Sequence, residues 1–159
     1  METPEEARWL TADEQHAWRG LVGVLSRLAP ALDAQLRRDA GITHFDYTVL
    51  SSVSETPNLS IRMSDLAVLA EGSLPRLSQV VTRLEKRGWV RRRPDPDDGR
   101  YTLVDLTAEG WDKVVATAPG HVREVRRLVI DPLTRGQVGQ LDKISHRILG
   151  AVDPDGHYE

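Results

Sequence analysis

The sequence contains no cysteine, which excludes disulfide bonds, thiolate metal sites and thiol redox sensing. It also has no apolar run near the roughly twenty residues that a membrane span needs, and no charged-then-apolar leader. A cytoplasmic location with no membrane partner is therefore expected. Catalytic signatures are missing as well. There is no P-loop, no G-x-G-x-x-G after a strand, no G-x-S-x-G, and no paired-carboxylate or Cys/His constellation tied to a cleft, so an enzyme is not expected. The histidines at 16, 44, 121 and 146 show no HxxxH spacing, so neither a metal nor a cofactor is expected. No internal repeat is visible. The polar tail DPDGHYE and the acidic first ten residues are expected to be loosely held.

What is present suits one domain over residues 1–159. The chain is 40% hydrophobic and 28% charged, ordinary for a folded protein with a real core. Its organising stretch is Ser73 to Leu106. In SLPRLSQVVTRLEKRG, Leu74, Leu77, Val81 and Leu84 recur at helical spacing on one face, with Pro75, Arg76, Gln79, Thr82, Arg83 and Lys86 on the other. Pro75 is tolerated in a first turn. Gly88 stops the helix, WVRRR reads as a strand, PDPDDG as a turn, and RYTLVDL as a second strand. Helix, strand, turn, strand is the second half of a winged helix-turn-helix.

Charge agrees with that reading. Ser73 to Arg93 holds seven basic residues against Glu85 alone, a local +6; the whole chain is at −3, which leaves −9 for the rest. Positive charge is concentrated where an outward helix face and a hairpin would meet phosphates. The alternative is a solvated basic face with no partner.

Around this unit the sequence places long helices. Thr11 and Glu14 form a capping box opening a helix over Ala12 to about Arg38, with Trp18, Leu21, Val22, Leu25, Leu28, Leu32 and Leu36 on one stripe. Pro30 is expected to kink or split it. Gly41 ends it, and Thr43 with Asp46 starts a helix over His44 to Thr56 whose buried face is Phe45, Val49, Leu50 and Val53. Leu59 to Arg62 gives a short strand, Ser64 to Ala70 a short helix, and Glu71-Gly72 the turn into Ser73, completing the helix-turn-helix. Thr107 caps a helix over Ala108 to Val129 with Trp111, Val114, Val115 and Val122 on its apolar side and a kink expected at Pro119-Gly120. Thr134 and Gln137 open a last helix to about Leu149. The helices at about 11–40 and 108–150 carry more apolar surface than the 44–106 lobe can cover, so a twofold partner is expected, the alternative being a monomeric helical cap. The fold class is mainly α with a small β-hairpin wing.

The SDLA helix, the stretch VVTRLEKRGWVRR and the wing DPDDGRYTLVDLTAEG together resemble the MarR family of winged-helix transcriptional regulators, over essentially the whole chain. The resemblance implies a triangular homodimer whose two winged lobes read the halves of an inverted repeat in double-stranded DNA, usually as a repressor. By position, Arg100 at the wing tip would enter the minor groove, where negative potential suits arginine, with Asp98 holding its guanidinium. Ser78 and Gln79 occupy the places where the family often has Ser or Thr followed by Arg. Gln79 is a departure, and glutamine pairs bidentately with adenine where arginine favours guanine. Thr82 shares that outward face. Arg76, Arg83, Lys86 and Arg91 to Arg93, Arg92 among them, read as phosphate contacts, and Arg87 as a partner for an acid.

The resemblance also implies a small aromatic or phenolic effector between the dimerisation helices and the DNA-binding lobe. Trp9, His16, Trp18, His44 and Tyr47 come from segments that could line such a cleft; otherwise the tryptophans are packing anchors and the histidines surface or satisfied residues. The rival to DNA binding is a winged-helix module that binds other proteins, which has no need of the local charge.

Overall fold

The capping box at Thr11 forms in both directions: Thr11 N donates to Glu14 Oε2 at 2.8 Å and Glu14 N to Thr11 Oγ1 at 3.3 Å. From it α1 runs over Ala12–Ala40 and stops where Gly41 turns left-handed at φ 67°. The structure, a computed structural model, describes residues 8–154. Of the loose ends expected at residues 1–10 and 153–159, residues 1–7 and 155–159 lie outside the described residues.

α1 does not break at Pro30. Proline there removes one bond to the Ser26 carbonyl, but both residues are exposed, so water can satisfy that oxygen and the helix continues. Pro119, where a kink is expected, does not interrupt its helix either. After Thr107 the helix α5 covers Ala108–Val125 straight through Pro119. Its irregularity comes later, where Arg126–Ile130 widens into a π-helical segment closed by Asp131 N donating to Arg126 O at 2.7 Å.

Between these helices the winged lobe follows the expected order with small shifts. α2 spans His44–Ser54, two residues short of the expected end, behind a capping box of Thr43 and Asp46. A tight turn at Pro57–Leu59 leads to β1, Ser60–Arg62, and α3, Met63–Leu69. α4 is Leu74–Lys86, β2 is Val90–Pro94 and β3 is Thr102–Leu106. β3 lies between β1 and β2, antiparallel to both, with Ile61 opposite Val104 and Arg92 opposite Val104 from the other side.

In the α3–α4 turn the left-handed residue is Glu71, at φ 50°, and not Gly72. Gly72 answers a different need: the Phe45 ring presses so close that an added Cβ would sit 2.5 Å from it.

The lobe's core joins Val49, Leu50 and Val53 of α2, Leu66 of α3, Leu77, Val81 and Leu84 of α4, and Val104 of β3, all 0% exposed. Leu74 was expected on this face and is not; it sits one turn short of the core and is 52% exposed. Val80 takes its place among the buried residues of α4.

α5 packs along α1 and α2, but much of the remaining helical surface is bare. None of the first twenty residues of α1 is fully buried, and Trp18, Leu25 and Val22 are exposed. α6, Arg135–Val152, starts at the Thr134–Gln137 capping box and buries no residue within one chain, with Leu141, Ile144 and Ile148 all exposed. No helix among the described residues is long and apolar enough to cross a membrane.

Candidate nucleic-acid interface

Burial fixes the rotation of α4. With Leu77, Val80, Val81 and Leu84 turned into the core, Arg76, Gln79, Arg83 and Lys86 stand on the opposite side and are exposed. Ser78 and Thr82 are half-buried along the edge that faces the wing. Ser73 caps the helix by accepting from Arg76 N at 3.4 Å, and the two basic residues of the last turn suit the negative end of the helix dipole.

The cations on this surface are not equivalent. The side chains of Gln79 and Lys86 make no hydrogen bond or ion pair among the described residues. Arg76 sits over the Phe45 ring, its Cζ 3.9 Å from the centroid. Arg83 donates to Asp46, whose side chain is almost wholly buried. Arg92 is held by Glu85 and also donates to Thr82 Oγ1 at 3.1 Å, so its charge is largely matched within the lobe. Those hydrogen bonds hold the Glu85 carboxyl below the usual carboxylate range. Arg91 and Arg93 share Asp105, Arg93 at 2.7 Å and Arg91 at 3.3 Å, and Arg91 keeps 70% of its side chain in solvent. Among the described residues Arg87 pairs with no acid, contrary to expectation. It donates to Gly41 O at 3.2 Å and lies over Trp89, because the C-terminal end of α4 abuts the end of α1 rather than a carboxylate.

At the wing tip, Arg100 projects with 84% of its side chain exposed. Asp98 accepts from its Nε at 2.9 Å and its Nη2 at 2.6 Å, and this pairing lowers the Asp98 pKa. The base of the wing is braced by Arg62, which donates to Asp95 at 2.8 Å and stacks over Tyr101. Between α4 and the wing runs an open cleft of about 370 Å³, with Ser78, Leu74, Arg92 and Arg100 on its walls.

The residues suggested for an effector separate into two groups. His44 and Tyr47 meet His121 of α5, with ring centroids 5.7 and 4.8 Å from it, and His121 Nδ1 lies 3.4 Å from Gln35 Oε1. Burial lowers the pKa of both histidines; Asp33 partly offsets this for His44, and His44 adds to it for His121. Trp9, His16 and Trp18 are not in this group. They lie on the exposed first part of the chain, and Trp18 is separated from Gln35 by roughly 25 Å of helix at 1.5 Å per residue. Among the described residues no three metal-ligating side chains gather.

Sequence reasoning missed the partners that hold these cations. Spacing alone marks Phe45 as a core residue, Asp46 as a helix cap and Glu85 as the lone acid in a basic stretch. Their second roles depend on tertiary contacts that helical periodicity does not encode.

Comparison with known proteins agrees with this geometry. The family model described as the MarR family matches residues 42–102. The crystal structure of Sco3205, a MarR family transcriptional regulator from Streptomyces coelicolor in complex with DNA, superimposes with a TM-score of 0.90 at 43% identity, covering 95% of this chain and 94% of that one. AbsC, another MarR family regulator from the same organism, gives 0.88 at 37% identity over 94% of this chain and all of that one. Among curated proteins, the transcriptional repressor MprA of Escherichia coli is 26% identical over 113 residues, 71% of this chain. The chain spans 64% of the length of that relative.

Proposed function

The chain belongs to the MarR family of transcriptional regulators, and on that premise we propose that it binds double-stranded DNA as a homodimer, reads an inverted repeat and represses transcription. One observation carries the reading: the face of α4 opposite the buried Leu77–Leu84 stripe offers Arg76, Gln79, Arg83 and Lys86 to solvent, flanked by Arg100 on the wing. In this account Gln79, with Ser78 and Thr82 beside it, meets base edges. Arg76, Arg83 and Lys86 meet phosphates, and Arg100, steered by Asp98, meets the minor groove. Arg92, matched by Glu85, serves as a strut between α4 and the wing.

The dimer is supported by apolar surface that a single chain leaves bare, on the first half of α1 and along α6. Repression rests on the resemblance to MprA, a repressor. A protein-binding winged helix is disfavoured by an exposed cationic helix face and by the similarity to a regulator seen on DNA. For an effector, the support is the junction of α1, α2 and α5, where His44 and Tyr47 meet His121; a flat aromatic or phenolic acid there would separate lobe from dimer helices. By linkage its binding and DNA binding would weaken each other equally.

A salt titration of binding to a labelled random duplex tests the DNA reading. The logarithm of the affinity should fall linearly with the logarithm of salt concentration, as counterion release requires. Absent or salt-insensitive binding would remove the proposal.

A further inference from the structure

The first turn of α2 is built into more of the molecule than a helix start needs. His44 N donates to Asp33 Oδ1 of α1 at 2.8 Å, and Tyr47 packs its ring on His121 of α5. The two residues between them face the other way. Phe45 lies in the space that the missing Gly72 side chain leaves open and carries the Arg76 guanidinium on its face, 3.9 Å from the centroid. Asp46 accepts from Thr43 N at 2.9 Å with one oxygen and from Arg83 with the other. Its side chain is 3% exposed, against 45% for Arg83. Each arginine is therefore pinned on one side by α2 and open to solvent on the other.

We infer that Phe45 and Asp46 are positioning residues for DNA binding, which contact no DNA themselves but hold Arg76 and Arg83 on either side of Gln79 on the outward face of α4. The inference rests on the proposed DNA-binding reading. An unheld arginine on a helix surface must give up its rotamer freedom when it meets a phosphate; one already laid on a ring or tied to a buried carboxylate has given it up on folding. Asp46 removes part of the charge of Arg83 in exchange for direction, whereas Phe45 leaves the charge of Arg76 intact and attracts it through the ring quadrupole. Because the same turn is tied to α1 and α5, both cations take their placement from the dimerisation helices as well as from the lobe.

The test is a double-mutant cycle with a random-sequence duplex as probe, since phosphate contacts need no operator. Phe45→Leu keeps an apolar side chain against Gly72 but removes the π face. It should weaken binding about two- to fivefold per subunit, hence roughly four- to twenty-five-fold in the dimer, while the thermal melt stays close to that of the parent. Phe45→Tyr should restore near-parental binding. In an Arg76→Gln background, Phe45→Leu should have no further effect. Asp46→Asn retains an acceptor for Thr43 N while removing the charge, and it should be silent in an Arg83→Gln background in the same way. Equal losses from Phe45→Leu with and without Arg76 would overturn the inference and leave the DNA-binding reading standing. A parent protein that fails to bind the duplex would overturn both.

Discussion

Glu85, on the last turn of α4, accepts three hydrogen bonds from Arg92 on β2: one from the backbone N–H at 2.8 Å and two from the guanidinium at 3.0 and 2.7 Å. The end of α4 and the root of the wing are thereby fastened together, and a cation that sequence alone assigns to a phosphate is engaged inside the protein. Lys86, one residue on, has no such partner among the described residues. The two neighbours should separate stability from affinity.

Arg92→Ala should lower the stability of the fold by about 1–2 kcal/mol, discounted from buried charged hydrogen bonds because both side chains are about a third exposed. It should leave the salt slope of DNA binding unchanged. Lys86→Ala should leave the melt unchanged and flatten the slope by roughly one phosphate contact per subunit. Thermal melts and salt titrations of both variants check the pair; a flattened slope for Arg92→Ala would return it to the phosphate-binding set.

The histidines at the junction of α1, α2 and α5 give a pH dependence of stability. Burial makes His44 and His121 bind protons less readily folded than unfolded. Above the ordinary histidine range near 6.5 both states hold them neutral and nothing is lost. As pH falls below it, the unfolded chain takes up protons first, so stability drops. Melting temperature should decline between about pH 7 and 5.5, before the carboxylates titrate, and His121→Gln should reduce the decline. An unchanged profile in that variant would show that this pair is not its source.

The bare faces of α1 and α6 predict an obligate dimer. Ile144→Asp would place an unpaired charge in the proposed interface, at a cost of about 3 kcal/mol or more per site. Light scattering should then report monomer or aggregate in place of dimer. Removing residues 1–40 should give unfolded or aggregated protein. A truncated chain that remains monomeric with a cooperative melt would contradict the shared core.

Much of this molecule is legible in its sequence because its signals are local. Thr11–Glu14, Thr43–Asp46 and Thr134–Gln137 are capping boxes at the starts of three helices, and Gly41 terminates α1 as a left-handed cap should. Leu77, Val81 and Leu84 mark the buried face of α4 correctly. Leu74 misleads because periodicity extends a stripe past the point where the core ends. Pro30 and Pro119 do not end their helices, because the carbonyl each leaves without a donor lies on an exposed surface where water can satisfy it. The π-helical widening at Arg126 and the cations held by Phe45, Asp46 and Glu85 depend on which elements come into contact, and no residue spacing announces that.

The central claim is that the outward face of α4 reads bases through Gln79 in a twofold arrangement. It is tested most directly by selecting bound sequences from a randomised duplex library with the parent and with Gln79→Ala. The parent should enrich an inverted repeat with half-sites about one helical turn apart, or a multiple of it. Gln79→Ala should lose preference at one position in each half-site, with discrimination there falling by about 1–3 kcal/mol and the remaining pattern intact. An identical pattern from both proteins, or no inverted repeat from the parent, would contradict the account.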